Sequence, residues 1–85
     1  MTKIKYWEYY DGDSVRRAPD RVVTEEQAIA WGAHILRGVD RRISSAYLCR
    51  YTIDTDIKGQ EIKGTEERVD DDDGIGISRG ALIAN

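Results

Sequence analysis

The tetrapeptide Thr24-Glu25-Glu26-Gln27 can satisfy two backbone amides that a helix start otherwise leaves without partners. The Thr24 side chain accepts from the amide of Gln27, and the Gln27 side chain accepts from the amide of Thr24, which together make a capping box. Losing such a cap costs about 1 kcal/mol. Val23 and Ala28 stand where a hydrophobic staple closes the entry. Beyond the cap, Ala28, Trp31, Ile35 and Val39 recur at helical spacing and Ile29 and Leu36 widen the stripe, while Glu25, Glu26, Gln27, His34 and Arg37 fill the other positions. Gly38 is a natural stop and Arg37 complements the negative helix end, so the spacing predicts one helix over about residues 25–38. Gly32, inside it, costs about 1 kcal/mol relative to alanine and points to a close backbone approach at that turn.

The rest of the chain reads as strand and turn. Residues 3–10 are rich in aromatics and run into Asp11-Gly12-Asp13, which has turn chemistry. The return segment, 14–23, contains Pro19, which lacks a donor and confines that stretch to an edge or a loop. After the helix, Ile43, Tyr47, Cys49, Tyr51, Ile53 and Ile57 share one parity, as a strand with one buried face requires. A two-residue turn at Gly59-Gln60 sets Lys58 opposite Glu61, Ile57 opposite Ile62 and Asp56 opposite Lys63, so that charges pair and apolar groups meet. The strand from 61 to 68 is polar on both faces, as a protected edge would be. The expected fold is therefore α+β: one capped α-helix packed on a three- to four-stranded antiparallel sheet in the order ββαββ. Residues 1–69 form the expected single domain. Residues 70–85 form an acidic, glycine-spaced flexible tail that adds a short strand, docks elsewhere or stays mobile.

Composition narrows the class. With 40% hydrophobic and 34% charged residues in an 85-residue chain, the sequence is too apolar for disorder and too polar for a membrane protein. No run approaches the roughly 18 apolar residues of a membrane span, and Met1-Thr2-Lys3-Ile4-Lys5 lacks the apolar stretch of a secretory signal. A cytoplasmic location is expected. Cys49 is the single cysteine, so no internal disulfide can form. A domain of this size buries only about 60–65% of its unfolded surface, which disfavours a deep substrate cleft. Charge is unevenly distributed: residues 14–50 hold seven arginines and four acids, a net of +3, whereas residues 54–73 hold nine acids and three basic residues, a net of −6. Such a split favours steering toward a charged partner or self-association, against a background of solvated faces of opposite sign.

No catalytic constellation is visible. His34 is the only histidine and has no cysteine near it in sequence, and Cys49 has the parity of an inert core residue. No enzyme activity, cofactor or metal is expected. Asp70-Asp71-Asp72-Asp73-Gly74 followed by Ile75 resembles the middle of an EF-hand calcium loop, with Asp71, Asp73 and Gly74 at its third, fifth and sixth positions. Val69 and Gly80 then stand where its first and twelfth ligands belong, so the essential oxygens are missing. Gly74, Gly76 and Gly80 are not a dinucleotide fingerprint, since no strand-to-helix unit encloses them.

Two surfaces remain as candidates for binding. Arg16, Arg17, Arg21, Arg41 and Arg42 could form a basic patch, with Tyr6, Trp7, Tyr9 and Tyr10 as the aromatic residues that could stack on unpaired bases. The hairpin, capped helix and Trp31 over residues 3–36 resemble the arm-binding domains of tyrosine recombinases, a likeness that implies a DNA-reading sheet; the acidic second half departs from the basic surface of that family. Alternatively, Glu61, Glu66, Glu67, Asp70, Asp71, Asp72 and Asp73 line an acidic edge suited to a basic groove, with Ile75, Ile77 and Leu82 as anchors in the tail. The leading expectation is a small non-enzymatic protein-binding module of phage or mobile-element type, which inhibits or modulates a host nucleic-acid-handling machine through that edge. The partner would be another protein, basic and nucleic-acid-binding itself. Nucleic acid as partner, or a homodimeric structural role, are the alternatives, and no membrane partner is expected.

Overall fold

The computed structural model describes residues 2–69 and 74–79. It is an α+β fold with one helix packed on an antiparallel sheet, in the order β1 (Thr2–Tyr10), β2 (Val15–Arg17), α1 (Glu25–Gly38), β3 (Ser45–Thr55), β4 (Glu67–Arg68) and β5 (Ile75–Ser78). Across the sheet the strands lie as β2-β1-β3-β4, with β5 also paired to β3. The long central pair sets everything else: β1 and β3 run antiparallel from Thr2 opposite Thr55 to Tyr10 opposite Tyr47.

α1 starts where its capping box places it, with Thr24 Oγ1 accepting from the Gln27 amide at 3.1 Å and Gln27 Oε1 accepting from the Thr24 amide at 2.9 Å. The expected staple does not form, because Val23 stays exposed. Its backbone is used instead: the Val23 carbonyl accepts from Trp7 Nε1 at 3.1 Å, which ties the segment before the helix to β1. Ala28, Gly32, Ala33, Ile35 and Leu36 are the buried side of the helix, and they meet Trp7, Tyr9, Ala46, Leu48 and Ile77 in the core. The close approach expected at Gly32 is present, since a Cβ there would lie 2.7 Å from Leu48 Cδ2. At the other end Arg79 donates to the carbonyls of Val39, Asp40 and Ile43 at 3.1–3.3 Å and so holds the loop that follows the helix.

The Asp11-Gly12-Asp13 turn joins β1 to β2. Gly12 takes a left-handed conformation (φ 88°), and Asp11 accepts from the amides of Asp13 and Ser14 and from the Tyr9 hydroxyl. β2 is a short edge strand that ends before Pro19, as the missing donor requires.

β3 corrects the expected parity. Ala46 and Leu48 face the helix, while Tyr47 is exposed and Cys49 and Tyr51 are half-buried on the opposite face; of the expected set within β3 only Ile53, farther along that face, is buried. The apolar alternation misled because the helix-facing positions further along β3 are Arg50, Thr52 and Asp54, which carry no apolar signal. The tip of the hairpin is corrected as well. β3 ends at Thr55, which bridges Glu61, and Asp56 Oδ1 closes a wider loop by accepting from the amides of Lys58 and Gln60. Ile57 is therefore 94% exposed instead of paired with Ile62. Farther from the tip the expected ladder reappears: continuing the Lys58–Glu61 register places Tyr51 opposite Arg68 and Thr52 opposite Glu67, and these are the pairs β4 makes. The polar edge predicted over 61–68 is thus a strand only at its last two residues.

Of the outcomes open to the tail, residues 75–78 add a strand. Ile75 stands opposite Leu48, and on the other side of the acidic run the Val69 amide donates to the Arg50 carbonyl at 2.9 Å. Gly74 is then next to Cys49, where a Cβ would lie 2.7 Å from the Leu48 carbonyl oxygen and its φ of 89° also demands glycine. Val69 and Gly74 thus neighbour successive β3 residues. Asp70, Asp71, Asp72 and Asp73, between them in sequence, lie outside the described residues, as does Leu82. Among the described residues no helix is long and apolar enough to cross a membrane.

Candidate functional site

A single helix can cover only one face of a sheet, and the period-2 alternation of β1 and β3 decides what is left on the other. Tyr6, Glu8 and Tyr10 of β1 stand opposite Tyr51, Cys49 and Tyr47 of β3. Four tyrosines therefore lie on the open face in two cross-strand pairs, with Glu8 and Cys49 between them. Tyr6 and Tyr51 are stacked, centroids 5.7 Å apart and planes 15° apart. Tyr10 and Tyr47 are each 47% exposed. Val15, opposite Tyr10, and Gly76, opposite Tyr47, extend that row to both edges. The centre is a shallow hollow of about 470 Å³ lined by Glu8, Tyr10, Tyr47, Cys49, Tyr51 and Arg68.

Two arginines flank the tyrosines. Arg17 lies 4.1 Å over the Tyr6 ring and makes a two-pronged ion pair with Glu61 at 2.5 and 2.6 Å. Arg68 donates to Cys49 Sγ at 3.2 Å. The Arg17 hydrogen bonds hold the Glu61 carboxyl below the usual glutamate range and raise the Arg17 guanidinium in turn. Burial pushes the Glu8 carboxyl up. It also raises the Tyr6 and Tyr51 hydroxyls, with the Glu8 charge adding to the effect, so both hydroxyls remain donors at neutral pH. The face offers flat aromatic area, hydroxyl handles and balanced charge. Among the described residues no group of three or more His, Cys, Asp or Glu is placed to hold a metal ion.

The sequence-predicted residues are distributed differently from the expectation. Trp7 and Tyr9 are core residues, 5% and 0% exposed, and cannot stack on a base. Tyr9 packs edge-on against Trp31, and Trp7 lies under Arg50 at 4.5 Å. The arginines do not act as one patch: Arg16 and Arg17 are on β2, Arg21 precedes the helix, and Arg41 and Arg42 follow it. Arg17 is bound to Glu61 and Arg42 to Asp40. The acidic edge is also partly compensated, since Glu61 is paired and Glu67 lies 3.6 Å from Lys3. Glu66 accepts from the Gly64 amide. Ile77 is buried at 8% and Ile75 is packed against the core, so these two are structural and not free anchors. His34 is exposed on the helix.

Sequence reasoning placed Tyr6 and Tyr10 among the rings available for stacking but assigned Tyr47 and Tyr51 to a buried face, and so missed the four as one surface set. The signal was the period of β1 itself, in which Trp7 and Tyr9 take one parity and Tyr6, Glu8 and Tyr10 the other. No family model, curated protein or solved structure matches this chain.

Proposed function

We propose that the chain is a non-enzymatic protein-binding module that engages its partner with the open, tyrosine-lined face of the sheet. The observation that carries this reading is the pairing of four partly exposed tyrosines across β1 and β3 on a face whose charges are balanced. Tyrosine gives large contact area with few rotatable bonds and a polar handle, and protein interfaces are enriched in tyrosine and arginine at their centres. A phosphate backbone needs uncompensated cations. Here Arg17 is neutralised by Glu61, Glu8 sits among the tyrosines, and four aspartates follow Val69 in the chain, all of which favours a protein over a nucleic acid. The aspartates would serve to steer a basic partner toward the face, which keeps a role as modulator of a larger machine within the proposal.

The test is differential capture from a native lysate. Protein retained by the unmodified chain and by His34→Ala should be lost about tenfold or more with Tyr10→Ser/Tyr47→Ser, whose thermal unfolding serves as the check on folding. Equal capture by the double variant would sink the reading. So would a gel shift with single-stranded DNA or RNA that vanishes as salt rises, since that is the behaviour of phosphate binding.

A further inference from the structure

β1 is longer than the strand outside it. β2 pairs with Glu8, Tyr9 and Tyr10 only, and the Ala18 amide adds one bond to the Trp7 carbonyl at 2.8 Å. Pro19 then takes the chain off the sheet, because it has no N–H with which to continue the ladder. Residues 2–6 pair with β3 on one side and, among the described residues, with no strand on the other. Backbone groups alternate sides along a strand, and the Trp7 carbonyl points toward β2, so the N–H and C=O groups of Lys3 and Lys5 point to the open side.

A groove of about 460 Å³ runs beside this edge, with walls that include Lys5, Trp7, Pro19, Asp20, Val22 and Arg50. Its walls are held in place: Trp7 Nε1 is bonded to the Val23 carbonyl, and Arg50 is stacked on the Trp7 ring. Among the described residues Lys5 and Arg50 make no ion pair and Asp20 is the one carboxylate lining the groove. We infer that this edge and groove form a strand-addition site for an extended, acidic peptide segment of a partner protein.

In this mode main-chain bonds to Lys3 and Lys5 supply affinity, and alternate side chains supply specificity. Acids opposite Lys3 and Lys5 fall on the helix side of the sheet near Arg50, and apolar residues between them fall beside Ile4 and Tyr6 on the open face. A second copy of the chain fits badly. Hydrogen bonding restricts an antiparallel β1–β1 ladder to pairs among odd-numbered residues, and each such register over residues 2–6 sets a lysine opposite a lysine, which is unfavourable. Lys3 and Lys5 together guard the edge against self-pairing, and Lys5 with Arg50 selects an acidic strand, since Lys3 is already held by Asp54 and Glu67 at 3.7 and 3.6 Å.

The site meets the tyrosine face only at Tyr6, and the experiment keeps the two apart. The probes are blocked peptides of about nine residues, the length of an ordinary strand, that alternate Glu with Val, Leu or Tyr. Binding should shift the Lys3 and Lys5 amide signals in heteronuclear NMR spectra and slow their hydrogen exchange. Lys5→Glu should weaken it about tenfold, as should replacing Glu by Lys in the peptide. N-methylation of the alternate amides that face β1 should abolish it, whereas N-methylation of the other set should not. Tyr10→Ser/Tyr47→Ser should leave it unchanged. The inference is overturned if none of the three peptides binds below about 1 mM, if N-methylation of either set is equivalent, or if the free chain self-associates with protection of the Lys3 and Lys5 amides.

Discussion

Leu48 and Tyr47 are neighbours in the chain, yet Leu48 is fully buried and Tyr47 is 47% exposed. Their difference is the difference between the two faces of the sheet. On one face Ala28, Gly32 and Ala33 keep the helix surface low, so α1 settles close to the strands and seals Trp7, Tyr9, Ala46 and Leu48. On the other, tyrosines pair across β1 and β3 under no helix among the described residues. Aromatic content does not distinguish the two, because each face holds large rings. What distinguishes them is which parity the single helix covers, and tyrosine tolerates the uncovered side because its hydroxyl remains hydrated while its ring stacks.

The sharpest way to break this contrast is to truncate each neighbour in turn. Leu48→Ala should cost about 2–5 kcal/mol in urea unfolding, the range for a buried leucine whose cavity cannot collapse. Tyr47→Ala should cost less than about 1 kcal/mol, since only a half-exposed ring is lost. Comparable losses would mean that the helix does not lie over the even-numbered side of β3. Gly32→Val follows, with an expected cost of about 1–3 kcal/mol by overpacking. The added Cβ would meet Leu48 Cδ2 at 2.7 Å and Ile77 Cδ1 at 3.2 Å, contacts that outweigh the gain of roughly half a kcal/mol in helix propensity. Gly32→Val with undiminished stability would show that the covered face is looser than its geometry.

How far these faces were legible in the sequence depended on whether the signal was local. Thr24 and Gln27 specify the helix start by themselves, and Pro19 specifies the end of β2 by itself. Gly32 announced a close approach because glycine inside a helix needs a compensating contact. The face of β3 was not legible, because that strand carries apolar or aromatic residues at odd positions from Tyr47 to Ile53, and its covered positions include Arg50 and Thr52. Only the register against β1, with Trp7 and Tyr9 drawn under the helix, resolves it. The hairpin beyond β3 was readable in register but not at its tip, since Asp56 closes a wider loop through its own carboxylate. The tyrosine face had a local signature only in the period of β1; its other half is a consequence of pairing between residues about 40 apart.

A smaller effect tests whether the covered face depends on the helix being anchored at its start. Thr24→Ala removes the acceptor for the Gln27 amide and should cost about 1 kcal/mol. It touches neither face directly, so amide exchange should rise in α1 while the Tyr6–Tyr51 cross-strand pair stays protected. Loosening of the open face to the same degree would show that the sheet has no stability apart from the helix.

The smallest effect is electrostatic and has opposite signs for two groups of the open face. Glu8 is raised above the ordinary glutamate value of 4.5 by burial, so its charge opposes folding at neutral pH. That cost is relieved as pH falls through the raised value. Glu61 is lowered by Arg17. Its contribution is complete above the ordinary value and is lost as pH falls through the lowered one. Asp11 and Asp40 are also lowered, Asp11 because the Tyr9 hydroxyl and the Ser14 and Asp13 amides outweigh its burial, and Asp40 because of Arg42. They reinforce the acid loss. Stability should therefore rise slightly on acidification toward pH 4.5 and fall below it, the Arg17–Glu61 contribution being about 0.2–1 kcal/mol and shrinking in salt. Glu8→Gln should raise the unfolding temperature at pH 7 and flatten the rise, whereas Glu61→Gln should lower it at pH 7 and reduce the acid fall. If Glu61→Gln were neutral at pH 7 in low salt, the Arg17–Glu61 pair would not restrain Arg17 over Tyr6, and that cation would be free to serve the open face.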